Sequence, residues 1–106
     1  MGKIEVVNVK SYKGDGIYIG RSCYGYKGSV LGNPYAIGKD GDRDEVIKKY
    51  REWLWNRYQE KGSVYEELLR LSEIAKKRDL VLVCWCKPKA CHGDVIKRCI
   101  EWMMKY

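Results

Sequence analysis

At 106 residues, with a net charge of +7 from 21 Lys and Arg against 14 Asp and Glu, the chain has room for one hydrophobic core under a positive surface that attracts phosphate-bearing partners. No apolar run approaches the length of a membrane span, and MGKIEVVNVK lacks the apolar block and small-residue cleavage site of a secretory leader, so a single cytoplasmic domain over residues 1–106 with no membrane partner is expected. The five cysteines then suggest metal chemistry, redox chemistry or packing more than a disulfide frame. A composition without Thr or Phe and rich in Lys, Glu, Arg and Tyr nevertheless resembles a thermophile's, and in hyperthermophiles intracellular disulfides do occur.

Ile4 to Val9 is rich in β-branched residues and predicts a first strand. The SYKGDG stretch from Ser11 to Gly16 is a turn, and Ile17 to Ile19 a second short strand. From Gly20 to Gly41 no period is sustained through six glycines and a proline, which predicts a long ordered loop of the kind that carries function. A helix follows from about Asp44 to Tyr58. It is opened by a capping box of Asp42 and Glu45, and its core stripe includes Val46, Ile47, Tyr50, Trp53, Leu54 and Tyr58. After Gly62, Ser63 with Glu66 repeats the capping pattern, and Val64, Leu68, Leu71 and Ala75 mark a second helix ending near Arg78, so the two form a helical hairpin. Leu80 to Trp85 is a continuous apolar run, as expected of a strand covered on both faces. A third helix runs from about His92 to Lys105 with Val95, Ile96, Cys99, Ile100 and Met103 inward. Trp55 and Trp102 fall off the apolar faces and either extend the core or mark a contact surface. This order predicts an α/β domain, a small Rossmann-like sheet of three to four parallel or mixed strands with three main helices.

The chemistry concentrates in CWCKPKACHGD, Cys84 to Asp94, which holds three of the cysteines and the single histidine. Strand alternation puts Cys84 and Cys86 on one side. Pro88 then breaks the chain, and Cys91 and His92 open the last helix. In α/β sheets this strand-to-helix turn is where ligands collect. Four readings stay open. In an anion or phosphate pocket, the helix terminus would lower the pKa of Cys91 or Cys86 and His92 would supply a titratable proton. In a zinc site, Cys84, Cys86, Cys91 and His92 are four ligands of the right types, although their spacing departs from paired CxxC. A thiol nucleophile at Cys86 or Cys91 would have only the dipole, Lys87 and Lys89 for activation. The fourth reading is packing, which suits Cys99 on the inner helical face. Because His92 shares a face with Val95 and Ile96, its ring should turn toward the core, so no cofactor is expected and zinc is the alternative.

IYIGR (Ile17 to Arg21), LGNPY (Leu31 to Tyr35), IGKDGDRDEVIKKYREWL (Ile37 to Leu54) and LVLVCWCKPKACHGDVI (Leu80 to Ile96) together resemble an uncharacterised domain family of bacteria, archaea and their viruses. That family is marked by GNP[FY] and CWC-x-P-x-x-CHGD motifs. The resemblance places Asn33, Pro34, Cys86, Cys91, His92 and Asp94 in its signature and leaves Cys23 and Cys99 outside it. The second motif is also similar in form to the cysteine-histidine turn of another uncharacterised α/β family, which favours a Rossmann-like sheet. In the GNP segment Gly32 permits close backbone approach, while Pro34 extends Asn33, whose amide can cap the turn, read a ligand, or do both.

These residues imply a site for a nucleotide or other phosphate-bearing small molecule. It would be built from Arg21, Gly32, Asn33, Pro34, Tyr35 and Asp94 as ligand-binding residues, with Cys86, Cys91 and His92 as candidate catalytic groups. The competing class is a nucleic-acid-binding module that uses Arg21, Lys27 and the tyrosines of CYGYKG as a basic stacking surface.

Overall fold

A computed structural model of the chain describes residues 2–11, 14, 16–21, 27–85, 89 and 91–105. Cys23, Tyr24, Tyr26, Cys86 and Pro88 lie outside the described residues. The described elements are β1 (Ile4–Asn8), β2 (Ile17–Tyr18), α1 (Arg43–Glu60), α2 (Ser63–Lys77), β3 (Leu80–Cys84) and α3 (His92–Lys105), an α/β fold with a parallel sheet of order β1-β3-β2. β3 pairs Leu80 with Ile4 and Cys84 with Asn8 on one side, and Leu82 with Ile17 and Val83 with Tyr18 on the other. The last strand in the sequence is therefore the middle one in space. Its apolar run suits that place, since both of its backbone edges are taken up by neighbours.

Only one face of the sheet joins the core. Ile4, Leu80, Leu82 and Cys84 are buried there against Tyr50 and Leu54 of α1, Leu68 and Leu71 of α2, and Ile96 and Ile100 of α3. The alternate set of Val7, Tyr18 and Val81 stays half-buried, with Glu5 exposed, so β3 is not covered equally on its two faces as the apolar run had suggested. Val83 alone of that set is buried, which explains why the run is unbroken in the sequence. Fully burying a leucine such as Leu68 or Leu71 contributes roughly 1.5–3 kcal/mol, and the hairpin supplies these in a row.

Local chemistry sets the helix ends. The Asp42 carboxylate accepts from Glu45 N–H while Glu45 accepts from Asp42 N–H, a complete capping box. α1 stops at Lys61, which takes the left-handed conformation at φ 57° and donates its N–H to the Tyr58 carbonyl. The second capping box does not form. Gly62 is the N-cap of α2 and no side chain caps it, because Ser63 already has helical geometry and its hydroxyl cannot serve a residue earlier. No described helix is long and apolar enough to cross a membrane.

Candidate functional site

Because all three strands are parallel, their carboxyl ends lie along one edge, where Ile19 to Arg21 follow β2 and Trp85 follows β3. A cavity of about 590 Å³ opens at this edge. Tyr18, Gly20 and Arg21 line it from the end of β2, and Asn33 and Tyr35 from the GNPY segment. Arg43 comes from the first turn of α1, Trp85 from the end of β3, and Cys91 and His92 from the start of α3.

Hydrogen bonds between distant segments hold this wall. Trp85 Nε1–H donates to the Tyr18 hydroxyl at 2.8 Å, and that hydroxyl donates to the Arg21 carbonyl at 2.6 Å, so one chain of bonds crosses from β3 through β2 to the arginine. Tyr50, fully buried on α1, donates its hydroxyl to the Leu31 carbonyl at 2.7 Å and anchors the loop before the GNPY segment. Asn33 Oδ1 accepts from Tyr35 N–H at 2.9 Å, an Asx turn that leaves the side-chain NH₂ as its donor. At the start of α3 a side chain on Gly93 would have its Cβ 2.7 Å from Val6 Cγ1 and 2.9 Å from Ile19 Cδ1. Glycine thus lets the helix end press against the strands.

The electrostatics follow from burial. His92 is 8% exposed, its Nε2–H donates to the Ile19 carbonyl at 2.8 Å, and its ring meets that of Tyr50 edge-on at 5.1 Å. A carbonyl can only accept, so Nε2 carries the proton and Nδ1 keeps the lone pair. Burial lowers the His92 pKa, with the Ile19 bond opposing and Arg21 assisting the shift, so the ring is neutral near pH 7. Cys91 Sγ lies 3.3 Å from Cys84 Sγ, and that contact, followed by burial, drives the Cys91 thiol far above the ordinary range. The helix terminus was expected to do the reverse; two facing thiols and a dry setting outweigh it. Burial likewise pushes the Cys99 thiol up to about 11.

Residues 6–102 match the family described as Domain of unknown function (DUF4326). The chain belongs to that family. It is also 30% identical over 81 residues to the "Uncharacterized 12.4 kDa protein in nrdA-td intergenic region" of Enterobacteria phage T4, a match covering 76% of this chain and 68% of the phage protein. No solved structure matches the chain.

Of the residues singled out from the sequence of this DUF4326 domain, the structure brings Arg21, Asn33, Tyr35, Cys91 and His92 around one cavity. Gly32 packs behind them, where an added Cβ would stand 3.2 Å from the Gly20 carbonyl oxygen, and Pro34 is exposed. Asp94 faces elsewhere: its Oδ2 accepts from Cys91 N–H at 3.2 Å, and it lines a neighbouring groove between α1 and α3. The structure brings together Cys84 and Cys91 of the four residues weighed for zinc, turns His92 Nε2 to the Ile19 carbonyl, and Cys86 is outside the described residues. Among the described residues no three Cys, His, Asp or Glu side chains converge as a metal site. Sequence reasoning missed Tyr18, Arg43 and Trp85. Trp85, at the carboxyl end of the buried run, carried the one available signal.

Proposed function

We propose that this DUF4326 domain binds a nucleotide, or another small molecule carrying phosphate, at the carboxyl edge of its sheet. The observation that carries the reading is the convergence of Arg21, Arg43 and the start of α3 on one cavity that also presents Tyr18, Tyr35 and Trp85. Two guanidinium groups and a helix amino end suit a phosphate, while the aromatic rings suit a planar base, and crevices at strand ends are where parallel sheets hold ligands. In this reading the Asn33 amide donates to the ligand. Neutral His92 offers Nδ1 as an acceptor, and Cys91 packs the floor instead of attacking a substrate.

Isothermal titration with adenosine and uridine 5′-monophosphate, the matching nucleosides and inorganic phosphate tests this. Saturable nucleotide binding that weakens at least about tenfold in Arg21→Ala, with the nucleosides binding more weakly than the nucleotides, is the expected result, since a charge-assisted hydrogen bond contributes roughly 1.5–3 kcal/mol. Absence of binding by both nucleotides and phosphate would sink the proposal, as would equal affinity in Arg21→Ala and Arg43→Ala.

A further inference from the structure

Beside the strand-end cavity lies a second, larger one of about 900 Å³ between α1 and α3. The two share Ile47 and Cys91 in their walls, so they adjoin. The floor of the groove is apolar, with buried Leu54 and half-buried Cys99. Its flanks carry Arg51 and Arg98, both exposed, together with Lys97, against the acidic Glu101 and Asp94. One Asp94 oxygen is occupied by the Cys91 N–H.

The outer part of the groove holds two exposed indoles, Trp55 at 48% and Trp102 at 42%. The Trp55 ring lies nearly parallel to that of Tyr58, at 11° and 5.7 Å, while Trp102 stands perpendicular to both at 6.0 and 5.8 Å. Even within this cluster Trp55 keeps about half of its surface, 48%, open to solvent. A flat apolar surface with cations along its edges matches a nucleobase on a phosphate backbone, the combination by which single strands are bound without regard to sequence. It does not match a second copy of this chain, whose net charge of +7 would be repelled from the same basic flanks.

We infer that the ligand of the strand-end cavity is the end of a single-stranded nucleic acid, and that the nucleotides next to that end lie along the α1–α3 groove with a base on Trp55. The inference rests on the nucleotide reading of the first cavity and assigns it a substrate class. The terminal phosphate meets Arg21 and Arg43, the strand passes Ile47 and Cys91, and the following phosphates run beside Arg51 and Arg98.

The test titrates thymidine 5′-monophosphate and a 5′-phosphorylated oligothymidylate of about six nucleotides, a length within the range of single-strand sites, following tryptophan fluorescence. The oligonucleotide should bind at least about tenfold tighter than the mononucleotide and quench the fluorescence, with an affinity that falls as salt rises. Trp55→Ala and the Arg51→Glu/Arg98→Glu pair should each remove most of that gain while leaving mononucleotide affinity unchanged, and Trp55→Tyr should retain much of it. Circular dichroism of these surface variants confirms that they fold. If the mononucleotide binds through Arg21 but the oligonucleotide binds no tighter, or its advantage survives Trp55→Ala, the inference is overturned and the nucleotide reading stands. If neither ligand binds, both fall. Oligonucleotide binding that Arg21→Ala leaves intact would show that the strand does not end in the cavity and would also overturn the inference. A dimer that Trp102→Ala dissociates would give the groove to a second copy instead.

Discussion

The outer surface of the α1–α2 hairpin and the carboxyl edge of the sheet are both rich in polar side chains, but they use them differently. On the hairpin, Arg57 pairs with Glu60, Arg70 with Glu67 and Lys76 with Glu73, each three residues apart on one helix and about half exposed apart from the more buried Glu67. Such pairs reinforce a helix that its buried stripe already specifies, and they contribute little. At the sheet edge the bonds run from Tyr50 to Leu31, from Trp85 to Tyr18 and from His92 to Ile19, spanning 19, 67 and 73 positions. They are partly or wholly buried, and each fixes a loop or a helix start against a different element. Polar groups withdrawn from water are costly unless paired, so pairing them across such distances specifies one geometry. The molecule builds its bulk with the hairpin and its accuracy at the edge.

The contrast can be broken first from the hairpin side. Leu71→Ala, at a fully buried position, should lose about 2–5 kcal/mol of stability in urea unfolding, while nucleotide affinity measured well below the midpoint stays as in the parent; a matching loss of affinity would show that hairpin and edge are not separable. Tyr50→Phe should lose about 1–3 kcal/mol by leaving the buried Leu31 carbonyl unpaired, and here affinity should fall as well, because the loop before Asn33 loses its anchor. Unchanged affinity in Tyr50→Phe would remove the distinction.

A smaller effect, confined in pH, comes from His92. Burial holds its folded-state pKa below the ordinary 6.5, so on acidification the unfolded chain takes up a proton that the folded chain resists. Stability should fall as pH drops below about 6.5 and level off beneath the folded-state value. His92→Gln, which retains an amide donor for the Ile19 carbonyl, should lose less stability between about pH 7.5 and about pH 5.5 than the parent does; equal losses in the two proteins would assign the acid sensitivity to other groups. The smallest effect belongs to the hairpin surface. Glu73→Ala, which breaks the exposed pair with Lys76, should change stability by less than about 1 kcal/mol and the change should shrink in high salt, whereas a larger loss would show that the surface pairs do more than decorate the helix.

Much of the fold was legible because β-branched runs and helical spacing are local signals: the three strands, the α1 stripe of Val46, Tyr50 and Leu54 and the Asp42 box all follow from neighbours in the sequence. Ser63 misled because a capping pattern is also local, while the geometry that displaced it was the left-handed turn at Lys61. In the candidate site, Arg21, Asn33, Tyr35, Cys91 and His92 could be named because they sit beside strand ends and glycine or proline breaks. Tyr18 and Trp85 could not be paired without the register that sets Tyr18 opposite Val83, and Arg43 looked like one more charge on a solvated helix. The direction of the Cys91 pKa depended on Cys84 reaching it across the turn, which composition and spacing do not encode.

The strand order has a bearing on how the molecule is assembled in time. β1 and β2 do not pair with each other, and each finds its partner only in β3. Until Leu80–Cys84 is in place neither has a ladder to join, whereas α1 and α2 can meet through contacts close in sequence, the kind that form early. The cavity wall, hung on β3 through Trp85 and on α3 through His92, is then the last part of the molecule to exist. Pulse-labelled amide exchange during refolding should accordingly show protection in α1 and α2 before Ile4–Asn8, and protection of β1 ahead of the hairpin would reverse that order.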